Sequence, residues 1–158
     1  MQKKKKNSPV KILWVGRLIE WKRCVDVIEL AKKLNLNVEI VYDRAEIFVQ
    51  NRREFYDIVT SRAVADLSIL SELAIPYLKV GGNFIAMKAN YQDELHNAEN
   101  IIKKLHSKVT KITEFTLPAT DMNRGIITIN KEKITNKKYP RSYNTIKKDA
   151  QIKLQKQQ

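Results

Sequence analysis

The chain has 158 residues, 43% of them hydrophobic, which suits one domain with a buried core and excludes a largely disordered protein. Its single cysteine, Cys24, excludes an intramolecular disulfide and a cysteine-rich zinc site. His96 and His106 lack the neighbours that a metal site requires, and no apolar run is long enough to span a membrane. We therefore expect no metal site and no membrane association. We also expect a cytoplasmic protein, because the lysine-rich start lacks the apolar segment of a signal peptide.

The net charge of +13 is concentrated at the two ends of the chain. Residues 1–11 carry five lysines and no acid, and residues 130–158 carry nine basic residues against two acids. The intervening residues 12–129 have a net charge of only +1. Basic ends suit a polyanion such as RNA, since each neutralised phosphate releases counterions, and we expect an RNA affinity that depends steeply on salt. A solvated tail that aids solubility is the alternative.

These compositional changes predict three segments. Residues 1–9 offer nothing to bury and are expected to be a disordered basic arm. Residues 10–135 are expected to form the folded domain, and residues 136–158 a basic C-terminal tail.

The first half of the chain has the pattern of a βαβ unit followed by another strand. Val10–Val15 is a compact apolar run that predicts a strand, and Glu20–Leu36 has the apolar spacing of an amphipathic helix. Val38–Tyr42 and Tyr56–Thr60 predict the next two strands. This alternation indicates a parallel sheet.

The second half continues the alternation and ends differently. Asp66–Leu78 predicts a helix with a kink or restart at Pro76, and Lys79–Gly82 predicts a helix stop and turn. Asn83–Met87 predicts a strand and Gln92–His106 a helix.

Two strands without an intervening helix come last. Val109–Leu117 and Gly125–Ile129 are rich in β-branched residues and predict a hairpin, which would close the sheet with an antiparallel strand. We find no apolar periodicity after Asn130.

Polar residues follow two of the predicted parallel strands. Asp43-Arg44-Ala45-Glu46 comes after Val38–Tyr42, and Ser61-Arg62 comes after Tyr56–Thr60. Ligands of open α/β sheets bind at the carboxyl ends of the strands, so we expect Glu46 and Arg62 to lie on one edge of the sheet. An ordinary surface arginine in a loop is the alternative for Arg62.

The motifs in this region resemble those of one family. They run in order through Leu34–Glu39, Arg44–Glu46, Asp57–Ala65, Leu67–Leu73, Pro76–Gly82, Phe84–Lys88, Phe115–Pro118 and Lys137–Arg141. This series is similar to ribosomal RNA small subunit methyltransferase G, also called the glucose-inhibited division protein B family, over roughly residues 22–148.

The resemblance implies a Rossmann-like S-adenosylmethionine-dependent methyltransferase sheet, and methyl transfer to N7 of a guanine in 16S ribosomal RNA. It implies that Gly16, Ala45, Glu46 and Arg62 contact the cofactor S-adenosyl-L-methionine, and that small-subunit ribosomal RNA is the partner of a monomer. No general base is named, because guanine N7 has a free lone pair and positioning supplies most of the rate.

The stretch around Gly16 departs from the family pattern. The family has a glycine-rich loop after its first strand, whereas Trp14-Val15-Gly16-Arg17-Leu18 retains a single glycine. We therefore expect a domain that is incomplete at its N-terminus, and an enzyme that is weak or inactive.

Two other functions remain open. Lys11–Arg23 resembles the opening of the nucleotide-sugar-binding half of retaining glycosyltransferases, in which residues matching Arg17 and Lys22 reach the diphosphate. A non-catalytic RNA-binding remnant is the third possibility, since both ends of the chain are basic.

Overall fold

A computed structural model describes residues 9–16, 24–62, 65–89 and 91–155. Within these residues, five strands form one mixed sheet in the order β1-β2-β3-β5-β4. The strands are β1 (Ile12–Val15), β2 (Tyr56–Arg62), β3 (Leu78–Lys88), β4 (Ser107–Thr116) and β5 (Asn123–Lys131). The described helices are α1 (Cys24–Lys33), α2 (Ala45–Phe48), α3 (Leu67–Ala74), α4 (Tyr91–Lys104) and α5 (Tyr143–Gln155).

The direction of the strands confirms the predicted fold class. β1, β2 and β3 run parallel, and β5 pairs antiparallel with both β3 and β4. The parallel part therefore ends in an antiparallel hairpin, as expected from two strands without a helix between them. Residues 1–8 of the predicted basic arm lie outside the described residues.

The core lies between the middle of the sheet and helices α3 and α4. Its fully buried side chains include Val59 on β2, Phe84 on β3 and Ile127 and Ile129 on β5. Ala98, Ile101 and Ile102 supply the buried stripe of α4, and Leu105 directly after the helix is buried too, which confirms the spacing in the sequence. The predicted restart at Pro76 is also confirmed, because α3 gives way to a 3-10 turn at Ile75–Tyr77.

The predicted strand Val38–Tyr42 is wrong. Residues 36–42 have no regular secondary structure, and Ile40 is 63% exposed. A strand exists only through hydrogen bonds to a neighbouring strand. The segment has no such neighbour in the described sheet, where β1 pairs with β2. The Val38–Tyr42 pattern has the composition of a strand without the pairing that would make it one.

The predicted helix stop at Lys79–Gly82 is also wrong, because these residues belong to β3. Leu78 pairs with Tyr56 and Asn83 pairs with Ile58, so β3 carries extra residues at a bulge. Gly81 has a φ of +86° in that bulge. The glycine is thus required for positive φ, as its sequence suggested, but within a strand and not at a helix end.

The region after Asn130 contains a helix where the sequence showed no periodicity. α5 buries Ile146 against α3, so most of the expected tail folds back onto the domain. We call the group of contacts that it makes there the α5 cluster. Its buried members are Ile69, Leu73 and Ile146, and the residues packed against them are Ala45, Ala65, Tyr143 and Ala150.

Candidate functional site at the carboxyl edge of the sheet

The three parallel strands end side by side, and we call this the carboxyl edge. Val15 is in register with Ser61, so Gly16 and Arg62 are the next residues on two neighbouring strands. Arg62 is still part of β2, where it pairs with Met87 on β3. The backbone of Gly16 and Arg62 therefore lies where ligands of open α/β sheets bind. The Arg62 side chain lies outside the described part of the structure.

The indole of Trp14 covers Gly16. A Cβ atom built on Gly16 would lie 2.2 Å from Cη2 of Trp14, which is far inside a van der Waals contact. The open side of the glycine, which a ligand could approach in a glycine-rich loop, is thus occupied by an aromatic ring of the same strand.

Ala45 and Glu46 begin the short helix α2, and their position is fixed by neighbouring side chains. The Tyr77 hydroxyl donates a hydrogen bond of 2.6 Å to the Ala45 carbonyl oxygen. Burial raises the pKa of the Tyr77 hydroxyl well above its usual value, which keeps it a donor. The Glu46 carboxylate accepts from Arg44, at 2.7 Å from Nε and 2.6 Å from Nη2. Arg44 in turn lies over the Tyr143 ring, 5.8 Å from its centroid.

Lys88 and Glu94 form a further part of the edge that the sequence analysis did not single out as site residues. Lys88 ends β3, and its buried ammonium group lies 2.5 Å from Oε2 of Glu94 and donates to the Ala65 carbonyl oxygen. Glu94 also accepts from the Leu67 amide at 2.7 Å. The pair joins the end of β3 to the start of α3, and the signal for it was a lysine directly after an apolar strand.

The predicted site residues fall into two groups. Gly16 and Arg62 are neighbours because of the register of β1 and β2. Ala45 is held by Tyr77 and the α5 cluster, and Glu46 is held by Arg44. Ala65, three residues beyond Arg62, packs on the same α5 cluster as Ala45. That Glu46 and Arg62 lie on one edge of the sheet stays a prediction, and the strand Val38–Tyr42, from which the position of Glu46 was argued, is absent.

The described residues contain no group of three or more His, Cys, Asp or Glu side chains that could hold a metal ion. Within the same part of the chain, every helix is too short or too polar to cross a membrane.

Comparison with protein families identifies the chain's relatives. The sequence model for rRNA small subunit methyltransferase G, named GidB, matches residues 17–123. This chain belongs to that methyltransferase G family. The resemblance in the sequence motifs is thereby confirmed.

Relatives of the methyltransferase G family match at high identity. The chain is 50% identical over 125 residues to ribosomal RNA small subunit methyltransferase G of Limosilactobacillus reuteri, covering 76% of this chain and 52% of the relative. The protein of the same name from Listeria welshimeri is 48% identical, with 78% and 54% covered. The chain thus spans about half the length of these curated relatives. Their names give no support to the glycosyltransferase alternative.

Solved structures share the fold of this methyltransferase G family member at low identity. An rRNA methylase from Streptococcus thermophilus matches at a TM-score of 0.50 and 13% identity, with 77% of this chain and 73% of that chain covered. The CMeT domain of the citrinin polyketide synthase matches at 0.52 and 14%, with 79% and 47% covered. Both confirm a Rossmann-like methyltransferase sheet and carry no information on substrate.

Proposed function

We propose that this chain is a weak S-adenosylmethionine-dependent methyltransferase acting on N7 of a guanine in small-subunit ribosomal RNA. The observation that supports it most is the register of β1 and β2, which puts Gly16 and Arg62 together at the carboxyl edge in a chain of this family. We propose further that it works as a cytoplasmic monomer, as expected for a protein that meets ribosomal RNA.

The chain's own residues would act by positioning. Lys88 and Glu94 hold β3 and the start of α3 at fixed distance, and Tyr77 fixes the Ala45 carbonyl oxygen. Methyl transfer to a ring nitrogen needs an aligned lone pair and no proton removal, so a rigid edge is the contribution required of the protein.

The described residues around Gly16 do not fit the methionine end of S-adenosylmethionine. The Trp14 ring takes the space beside Gly16 in which a bound methionine would approach the backbone. A charged amino-acid group needs several donors and acceptors there, and losing two such hydrogen bonds costs on the order of 3–6 kcal/mol. We therefore propose weak cofactor binding and slow turnover.

Isothermal titration tests the proposal. We expect heat on titration with S-adenosylmethionine. The dissociation constant should be about a hundredfold or more higher than that of a site that makes those two hydrogen bonds. UDP-glucose is the competing titrant. Heat from UDP-glucose alone would support the glycosyltransferase reading, and heat from neither would leave the RNA-binding remnant.

A further inference from the structure

We propose that helix α5 is a brace that fixes the two groups of candidate site residues relative to each other, with Arg141 and Ile146 as positioning residues. The inference deepens the proposed function and rests on it, because only there do Ala45, Glu46 and Arg62 serve one ligand.

The brace is attached to α3 by a buried ion pair. Arg141 donates to Glu72 from its backbone N and Nε, each at 2.9 Å from Oε1, and from Nη2 at 2.8 Å from Oε2. Its remaining Nη1 lies 2.5 Å from Oδ2 of Asp149, on α5 itself. Glu72 is 1% exposed, so the guanidinium takes the place of water as the hydrogen-bonding partner of its carboxylate. Arg141 therefore links Glu72 on α3 to Asp149 in the middle of α5.

The apolar face of α5 then reaches both parts of the candidate site. Ile146 is buried between Ile69 and Leu73 of α3. Ala45, from the first turn of α2, and Ala65, shortly after β2, pack on the same α5 cluster. Helix α5 thus shares one cluster of contacts with the Ala45–Glu46 segment and with the chain after Arg62.

A polar contact extends the brace to the Glu46 carboxylate. Tyr143, in the first turn of α5, lies under the Arg44 guanidinium, which is the partner of Glu46. The orientation of Glu46 is therefore coupled to the seating of α5 through a single intervening side chain.

The outer face of α5 carries the charge that RNA would meet. Lys147 and Lys148 are exposed on it, next to buried Ile146. A polyanion bound to these lysines would act on the same helix that orders the candidate site. This gives α5 a role that a solvated tail would lack.

Hydrogen exchange on the full chain tests the brace without any cofactor. We expect Ile146→Ala to speed exchange of the α2 amides of Ile47 and Phe48, which donate to the Arg44 carbonyl oxygen, at least about tenfold, equivalent to about 1.4 kcal/mol of local opening. Exchange in β5 should change less than in α2. Lys147→Ala, on the outer face of the same helix, is the matched control and should leave both unchanged, and Ile146→Val should restore most of the protection in α2.

Two results would overturn the brace. Unchanged exchange in α2 with faster exchange in α5 would show that α5 is docked without positioning the site. Equal acceleration in α2 and β5 would show that Ile146 only stabilises the fold. Titration of the unaltered chain with S-adenosylmethionine is a separate experiment. Absence of binding would contradict the proposed function, whereas hydrogen exchange would still decide whether α5 fixes α2.

Discussion

The two sides of the parallel sheet differ in how their helices are used. On the β3 side, every residue of α3 is buried, between the sheet, α4 and α5. Helix α1, which follows β1 in the chain, has a comparable apolar pattern, yet Val25 and Leu30 are more than half exposed. An amphipathic pattern is therefore enough to form a helix, whereas burial of that helix requires a partner surface. The α3 side therefore carries the stability, and the β1 side carries the departure from the family at Gly16.

Core truncation on the two sides gives the largest expected difference. Phe84 is fully buried on β3, and Phe84→Ala should lower the free energy of unfolding by about 3–5 kcal/mol. Leu30→Ala on α1, where the side chain is 57% exposed, should cost no more than about 0.5 kcal/mol. Urea denaturation measures both. Similar losses from the two variants would break the comparison.

The Arg141–Glu72 pair gives the next largest effect. Arg141→Met leaves the buried Glu72 carboxylate without its cation and should destabilise the fold by about 3 kcal/mol. Adding Glu72→Leu should recover much of this loss, because the double variant no longer buries an unpaired charge. A double variant as unstable as Arg141→Met alone would show that lost packing, and not the charge, is the cause.

Asp57 joins the two sides, and its removal should have a small effect that depends on pH. It accepts from the Lys11 amide at 2.8 Å and from Lys79 Nζ at 2.6 Å. The Lys79 and Lys11 hydrogen bonds hold the pKa of Asp57 below its ordinary 3.8. A lowered folded-state pKa stabilises the fold above pH 3.8, and this contribution is lost as the pH falls through the folded-state value.

We therefore expect Asp57→Asn to cost about 1 kcal/mol or less at pH 7, since the pair is partly exposed, and progressively less in acid. Asp121→Asn, in the turn before β5, is the control and should leave stability unchanged. Urea denaturation of both proteins at pH 7 and in acid measures how the cost of Asp57→Asn changes with pH. A constant cost across the range would contradict the role of the Asp57 charge.

The basic ends give the smallest effect, which is a change in slope. Replacing Lys147 and Lys148 by Gln should make the plot of log RNA affinity against log salt shallower by about 1–2 units, if each contacts a phosphate. Lys111→Gln, an exposed lysine on β4, should leave the slope unchanged. The reverse pattern would place the RNA on the hairpin and not on α5.

The sequence predicted the elements that bury one face and missed those that depend on distant partners. Apolar spacing located α4 and its stripe, and β-branched runs located the hairpin, because both patterns are local. Val38–Tyr42 has a strand pattern but no paired neighbour, and α5 has few apolar residues, of which Ile146 is the deeply buried one among the side chains described, those of residues 143–152. Neither outcome is encoded in the segment itself.

The candidate site depends on distant contacts in the same way. The register of β1 and β2 brings the backbone of Gly16 next to that of Arg62, whereas the expected placement of Glu46 and Arg62 on one edge stays a prediction. The Lys88–Glu94 pair joins β3 to α4, and the Arg141–Glu72 pair joins the segment before α5 to α3. They follow from packing, which no single stretch of sequence specifies.

A methyl-transfer assay tests directly whether the carboxyl edge of the sheet is a methyl-transfer site. The chain is incubated with tritiated S-adenosylmethionine and undermethylated small-subunit ribosomal RNA, and label at guanine N7 is counted for the unaltered chain, Arg62→Ala and Lys111→Gln. We expect slow incorporation that Arg62→Ala abolishes and Lys111→Gln retains. Incorporation that survives in Arg62→Ala, or no incorporation at all, would contradict a methyl-transfer site at this edge of the sheet.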